Sequence, residues 1–460
     1  MSRRQFRLLV LAAFMIGLGI RLGAALARPD LHAGGDPAEY WLISNYLADG
    51  QGWIEPILYK AYGVHVQTAK LPPLYTLLLS LCSLAGFKSF LAHRVWSGVL
   101  SAAGVPIAAA LGREVAGRAV GVATAVGVAL YPNLWMSSSI GMSETISPVL
   151  AMLVLWAGYR LWREPTLRRS VLLGGAIGLA ALARDEMLVF AGLILAPAAF
   201  GRRGGGRPWP VRLKLFFAGA ATAVLVIGPW VGYNLSRFPR PVFITDRLGL
   251  TLASANCPVS WSGLSAGYWS QSCALQSVGT VTDETAQQAP ATHFALTYIG
   301  DHLGSLPRVE VVRLGRTFGF SRVSGQMELD IHVENRPALW VWVGLWSFYG
   351  LAILAPFGLI RLRRAGVVTF PLWAVLADVV VVVLITYGET RFRATLEPVL
   401  VLLAAVAVCG FLRQPVRPGE RDARESAGET ERPAGASSPE QSGPTSAAHS
   451  ASGPPAPSGS

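Results

Sequence analysis

Apolar runs of about 20 residues recur along the chain, each long enough to cross a hydrocarbon core as a helix. They lie near 8–28, 91–112, 118–136, 144–161, 215–233, 337–360, 368–387 and 395–412. In hydrocarbon every backbone N–H and C=O must be satisfied within the chain, so such runs form a helix bundle. The run 170–200 is interrupted by Arg184, Asp185 and Glu186 and reads as two short helices meeting at that charged point. Only 14% of the residues are charged, against about 25% in a soluble domain. A net charge of +12 would suggest nucleic acid in a soluble protein. Here the basic residues cluster between apolar runs, as cytoplasmic loops do, so no nucleic-acid partner is expected.

The positive-inside rule sets the topology. Arg3, Arg4 and Arg7 precede the first run, which is longer than a signal-peptide core although Ala25 to Ala27 weakly resemble a cleavage site. The clusters Arg160, Arg163, Arg168, Arg169, then Arg202, Arg203, Arg207, Arg212, Lys214, then Arg361, Arg363, Arg364 all fall inside on one condition. The short apolar run 72–87 must dip into the outer side without crossing. The expectation is an all-α polytopic protein of about ten spans with both termini cytoplasmic. Residues 29–90, 137–143, 184–186, 234–336 and 387–394 would then be external. The organisation expected is 1–233 as a transmembrane catalytic module, 234–336 as an extracytoplasmic loop or small domain, 337–413 as C-terminal transmembrane helices, and 414–460 as a cytoplasmic tail. That tail, dense in Pro, Ser, Gly, Ala and charge, is expected to be disordered. Cys257 and Cys273 share the external segment and are expected to pair, whereas Cys82 and Cys409 lie in apolar runs. The composition, rich in Arg and Ala, points to a bacterium and hence to its plasma (inner) membrane.

Six polar groups interrupt this pattern, and charges near bilayer depth default to functional candidates. Gly34-Gly35-Asp36-Pro37-Ala38-Glu39-Tyr40-Trp41 presents Asp36 from a tight turn; taken alone, Asp36 also suits an ordinary helix cap. Lys70 precedes Pro72-Pro73-Leu74-Tyr75, where an anion would be attracted to a helix N-terminus, although a lysine snorkelling to the interface fits equally. Ser143-Glu144 opens a span and also reads as a cap. Arg184-Asp185-Glu186 sits between two apolar half-helices, where a structural ion pair is the alternative. Pro229-Trp230 through Asn234 to Arg237 ends a span; an aromatic belt accounts for Trp230 and Tyr233 but not Arg237. Tyr387-Gly388-Glu389-Thr390-Arg391-Phe392-Arg393 puts two arginines outside, against the positive-inside pattern, and suggests an external anion such as a phosphate. No Cys/His cluster has zinc-site spacing.

The order and spacing of these six groups resemble the membrane glycosyltransferases of the GT-C fold, in particular the glycosyltransferase family 39-like group of protein O-mannosyltransferases and lipid A aminoarabinose transferases. The resemblance covers about residues 8–412. It implies a GT-C-type transmembrane helix bundle with a small extracytoplasmic segment. Asp36 in GDPAEYW stands where the family has its general base. Many members carry two adjacent acids there; in this chain the second, Glu39, stands three positions later. Lys70 in AKLPPLY, with Tyr75 closing the motif, Arg184 in GLAALARDE, and Arg391 and Arg393 in YGETRFRATLEP would meet the donor phosphate. Glu144 in SET, Asp185, Glu389, and Arg237 in the stretch after Pro229 are the further site residues implied. The activity implied is inverting transfer of a sugar from a polyprenyl-phosphate donor to a hydroxyl or amine of a lipid, glycan or protein acceptor, at the extracytoplasmic face. No cofactor is required on this reading, and weak divalent binding near Asp36, Glu39 or Glu144 stays open. The alternatives are a transporter or flippase of a lipid-linked sugar, which usually shows inverted repeats not found here, and a scaffold that retains the fold alone.

Overall fold

The computed structural model describes residues 1–201, 207–279 and 283–412; the expectations for Arg202, Arg203 and the tail from 414 lie outside them. Among the described residues the chain forms helices and loops without a strand, and one isolated antiparallel bridge joins Ile54 and Gln67. Among the described residues five helices are long and apolar enough to cross a membrane: Arg3–Leu26, Phe90–Ala116, Ser143–Arg163, Trp209–Arg237 and Ala338–Arg364. The pair Arg118–Leu130 and Pro132–Ile140, bent by 44°, makes a sixth if it is taken as one broken span. The sequence-based count of about ten is therefore not met by length and composition alone. Its remaining members are Phe370–Ile385 and Glu397–Leu412, 16 residues each, and the stretch 167–200. That stretch breaks at the charged corner as expected: Leu167–Ala183 gives way to a 3-10 turn at Asp185–Val189, a π turn at Ala191–Leu195 and the short helix Ala196–Phe200.

Three of the long helices, Arg3–Leu26, Trp209–Arg237 and Ala338–Arg364, bury narrow faces. On Arg3–Leu26, started by a Ser2/Gln5 capping box, the buried residues are Ala13, Gly17, Arg21 and Ala25, one turn apart. Leu8, Leu11, Met15 and Ile16 face outward, as do Phe217, Val224, Leu225, Ile353 and Phe357 on other long helices. In water these would be large apolar patches; in a bilayer they meet lipid. Small residues let helices approach closely. A Cβ on Gly112 would lie 2.9 Å from the Gly121 Cα, and one on Gly178 would lie 2.7 Å from the Val226 Cβ.

Two fully buried arginines serve helix ends rather than carboxylates. Pro132 has no N–H to offer the Val128 carbonyl. Arg21 takes it at 3.1 Å, together with Ala129 O at 3.2 Å, and also donates to Ser101 Oγ at 2.9 Å. Arg94 donates to the carbonyls of Ala25, Arg28 and Ser139 at 2.9, 2.7 and 2.6 Å. Helix C-termini carry partial negative charge and orphan carbonyls, which a guanidinium satisfies several at a time.

The run expected to dip without crossing forms the helix Pro73–Leu84, only about 18 Å long against a core of about 30 Å. It packs beside Gly35–Ala48, and the far ends of the two meet where Lys88 pairs with Asp49. We expect a cysteine at position 88 to react with a membrane-impermeant thiol reagent in intact cells and one at position 168 to stay silent. The reverse pattern would overturn the topology.

Among its described residues the segment 234–336 is made of helices joined by loops. Leu248–Ala255, Gln271–Val278 and Glu284–Asp301 pack around Ala253, Val278 and Ala291, and Cys257 is joined to Cys273 by a disulfide. Arg313 and Arg316, both 1% exposed, hold this layer: Arg313 donates to Ala255 O at 2.7 Å and Arg316 to Ala266 O at 2.7 Å. Gly388 N donates to Gly267 O at 2.7 Å and so ties the layer to the turn that carries Arg391.

Candidate active site

Two cavities, of about 740 Å³ and about 470 Å³, share one wall of Asp36, Lys70, Arg247, Thr251, Tyr387 and Arg391. Local sequence explains how the wall is built. Gly35 takes φ +56°, which favours glycine, and places Asp36 in the first turn of Gly35–Ala48. The cap position is Gly34 and makes no side-chain cap bond, so Asp36 does not serve as the ordinary cap that its spacing also allowed. Its two oxygens instead accept from Arg247 Nη1 at 3.2 Å and Arg391 Nη1 at 3.1 Å. Burial pushes the Asp36 carboxyl up, but Arg247 and Arg391 together outweigh it and hold the group well below the usual carboxylate range.

Lys70 is fixed through its neighbours. Ala69 N donates to Glu284 Oε1 at 2.8 Å and Ala69 O accepts from Asp246 N at 3.0 Å. The Lys70 ammonium lies 3.5 Å from Glu39 Oε1 and 3.4 Å from Glu55 Oε1. Burial pulls it down, yet Glu39 and Glu55 more than compensate, so it stays charged. Arg237, at the end of Trp209–Arg237, lines neither cavity. It binds Trp53 O at 2.9 Å and Thr68 O at 2.7 Å and thereby anchors the loop that delivers Lys70.

The candidates Glu144 and Arg184 form one ion pair at 2.8 Å, and Arg184 also binds Glu186. Asp185 accepts from Thr245 Oγ1 at 2.7 Å. All four line the smaller cavity, and Glu39 lines the larger. Glu389 is fully buried and pairs with Arg391 Nε at 2.8 Å. Tyr75 is buried against Ser97, 2.7 Å from its Oγ, behind the wall. Arg393 points away from both cavities, to Glu397 at 2.9 Å and Thr317 O at 2.8 Å, over the Phe348 ring. Sequence reasoning missed Arg247, two residues beyond the Pro229 to Thr245 motif. Its signal was available: a basic residue on the expected outer side, like Arg391. Among the described residues no group of three or more His, Cys, Asp or Glu side chains could hold a metal ion.

Asp246, beside Arg247, is buried with one carboxylate oxygen unbonded. Burial first, then Glu284 and Asp283, push its carboxyl up to about 7. A folded-state value above the unfolded one means that the fold favours the protonated acid, so stability is lost as pH rises through about 7. Asp246→Asn, neutral throughout, is expected to melt higher than wild type at pH 8, with the gain shrinking towards pH 5. An unchanged melting temperature at pH 8 would refute this.

No family model and no curated protein matches the chain. Solved structures do. The Archaeoglobus fulgidus oligosaccharyltransferase in its apo form is 15% identical with a TM-score of 0.55, covering 93% of this chain and 52% of its own. The same protein in complex with Zn and sulfate is 17% identical with a TM-score of 0.54, covering 91% and 51%. The chain thus spans about half the length of that enzyme. ArnT from Cupriavidus metallidurans bound to undecaprenyl phosphate is 14% identical over 88% of this chain and 78% of its own; at a TM-score of 0.42 that likeness carries no argument. Apolar helices of spanning length and the architecture shared with the oligosaccharyltransferase together identify the chain as an integral membrane protein with the GT-C fold.

Proposed function

We propose that the protein is an inverting glycosyltransferase that moves a sugar from a polyprenyl-phosphate donor to an acceptor at the extracytoplasmic face of a bacterial plasma membrane. The observation that carries this is the single charged wall between two unlike cavities. Beyond the wall, the smaller cavity is lined by Val189, Leu193, Val381, Val382 and Ile385. Of these, Val189, Val381 and Ile385 are exposed on the outer surface of the bundle. That suits a lipid tail lying against the helices with its phosphate at Lys70, Arg247, Arg391 and Arg184. The larger cavity draws its lining mainly from loops, short helices and the 248–287 layer, and meets the spans only at ends such as Phe90 and Ile140; it suits the acceptor. The oligosaccharyltransferase of the same fold has been described in complex with a dolichol-phosphate, a lipid phosphate of this kind. The disulfide fits an oxidising compartment.

On this reading an acceptor oxygen attacks the anomeric carbon from the larger cavity. The new C–O bond forms as the bond to the phosphate oxygen breaks, and configuration inverts. Asp36 takes the acceptor proton. The basic side chains stabilise the charge developing on the lipid phosphate, and alignment of the two substrates supplies much of the remaining rate. Arg247 and Arg391 hold Asp36 ionised before substrates arrive. An incoming phosphate competes for both guanidiniums and leaves the carboxylate freer to accept a proton. Membranes containing the protein would be incubated with a panel of radiolabelled polyprenyl-phosphate sugars. We expect at least one donor to yield labelled product and free polyprenyl phosphate. Turnover of none would overturn the assignment.

A further inference from the structure

The charges around the larger cavity are sorted by position. Its lysine and arginines, Lys70, Arg247 and Arg391, all belong to the wall shared with the lipid-side cavity, and all are engaged by carboxylates. The rest of its described lining holds Glu39, Glu55, Glu284 and Glu334 and no lysine or arginine. Glu55 and Glu284 are each 8% exposed. Trp269 lines the same cavity with a buried indole N–H that has no partner.

From this arrangement we infer that the acceptor enters with a neutral, polyhydroxylated head, and that acceptors bearing an anionic group are excluded. The inference rests on the assignment of the larger cavity to the acceptor. Carboxylates accept hydrogen bonds, so a hydroxyl can donate to them, whereas a carboxylate or a fully ionised phosphate cannot. An anion would also have to approach four glutamates in a partly enclosed space, where like charges are costly and poorly screened. The basic wall does not balance this, because with Asp36 the lining holds five carboxylates against three cations, and the donor phosphate takes what capacity those cations have left.

The test uses the full-length protein in lipid nanodiscs loaded with a polyprenyl phosphate, which occupies the basic wall without supplying a sugar. Methyl glycosides of gluco, galacto and manno configuration are each paired with their own 6-carboxylate, and binding is read by saturation-transfer NMR. At least one neutral glycoside is expected to bind, with an advantage of about tenfold or more over its uronate. That gap should narrow as salt is raised. Glu55→Gln keeps an oxygen to accept from Leu58 N, as Glu55 now does at 2.6 Å, and should narrow the gap by improving uronate binding. Equal or tighter binding of a uronate, or binding of neither member of any pair, would overturn the inference. Release of polyprenyl phosphate from donors is measured separately and reports on the transferase assignment itself.

Discussion

Asp36→Asn is expected to lower sugar transfer by at least about 100-fold while membrane abundance stays at the wild-type level, because a positioned general base contributes about 10²–10⁴. The substitution is nearly isosteric and keeps one oxygen to accept from Arg247 or Arg391. It sits in the first turn of a helix whose cap is Gly34, so no capping bond is lost. The chemistry suffers because an amide cannot take a proton from the acceptor. Activity above about a tenth of wild type would remove Asp36 from the role of base. The same variant separates the alternatives: a flippase should still move its lipid-linked sugar, and a scaffold should lose nothing.

Arg391→Met is expected to cost both stability and turnover, and a second substitution should separate the two losses. Arg391 binds Asp36 at 3.1 Å and Glu389 at 2.8 Å. Glu389 is wholly buried, and beside Arg391 it has the Tyr268 hydroxyl at 3.4 Å and a hydrogen-bonding contact with Glu334. Removing the guanidinium strands that carboxylate, and breaking a buried pair from one side costs about 3–5 kcal/mol. The melting temperature of the purified protein should fall accordingly. Adding Glu389→Gln removes the stranded charge and should restore much of the lost stability. Transfer should stay at least about 100-fold down, as for the loss of a donor aimed at developing charge. Recovery of activity in the double variant would show that Arg391 acts only as a support for the fold.

Much of this architecture was legible in the sequence because hydrophobic periodicity and length report directly on membrane burial. The break at Arg184 and the pairing of Cys257 with Cys273 were legible for the same kind of reason: each is a local anomaly with a single cheap resolution. The span count was less legible. Phe370–Ile385 and Glu397–Leu412 are shorter helices than their apolar runs suggested, since Pro371 and the 3-10 turn at Thr390–Thr395 fix where they begin. At the site, the residues were easier to find than their roles. Arg391 and Arg393 stand two apart in one motif, yet one faces Asp36 and the other faces Glu397. Only the turn geometry decides which guanidinium meets the cavity. Arg237 was found as a charge out of place, but its work is to hold a loop. Arg247 was missed because it follows the motif rather than belonging to it, and its closeness to Asp36 crosses 211 positions of chain.

Arg21 and Arg94 have a consequence for biogenesis. Arg21 leaves the ribosome long before Val128 and Ala129, and Arg94 well before Ser139. Until Ser101 and those carbonyls arrive, Arg21 holds only the Gly17 carbonyl among its final partners, an expensive arrangement for a charge within an apolar helix, whereas Arg94 already has Ala25 and Arg28 and lacks only Ser139. Insertion of the first helices and folding of the bundle are thus coupled steps for this chain. Nascent chains halted before residue 118 should crosslink to the insertion machinery through the first helix, and chains extended past residue 140 should be released from it.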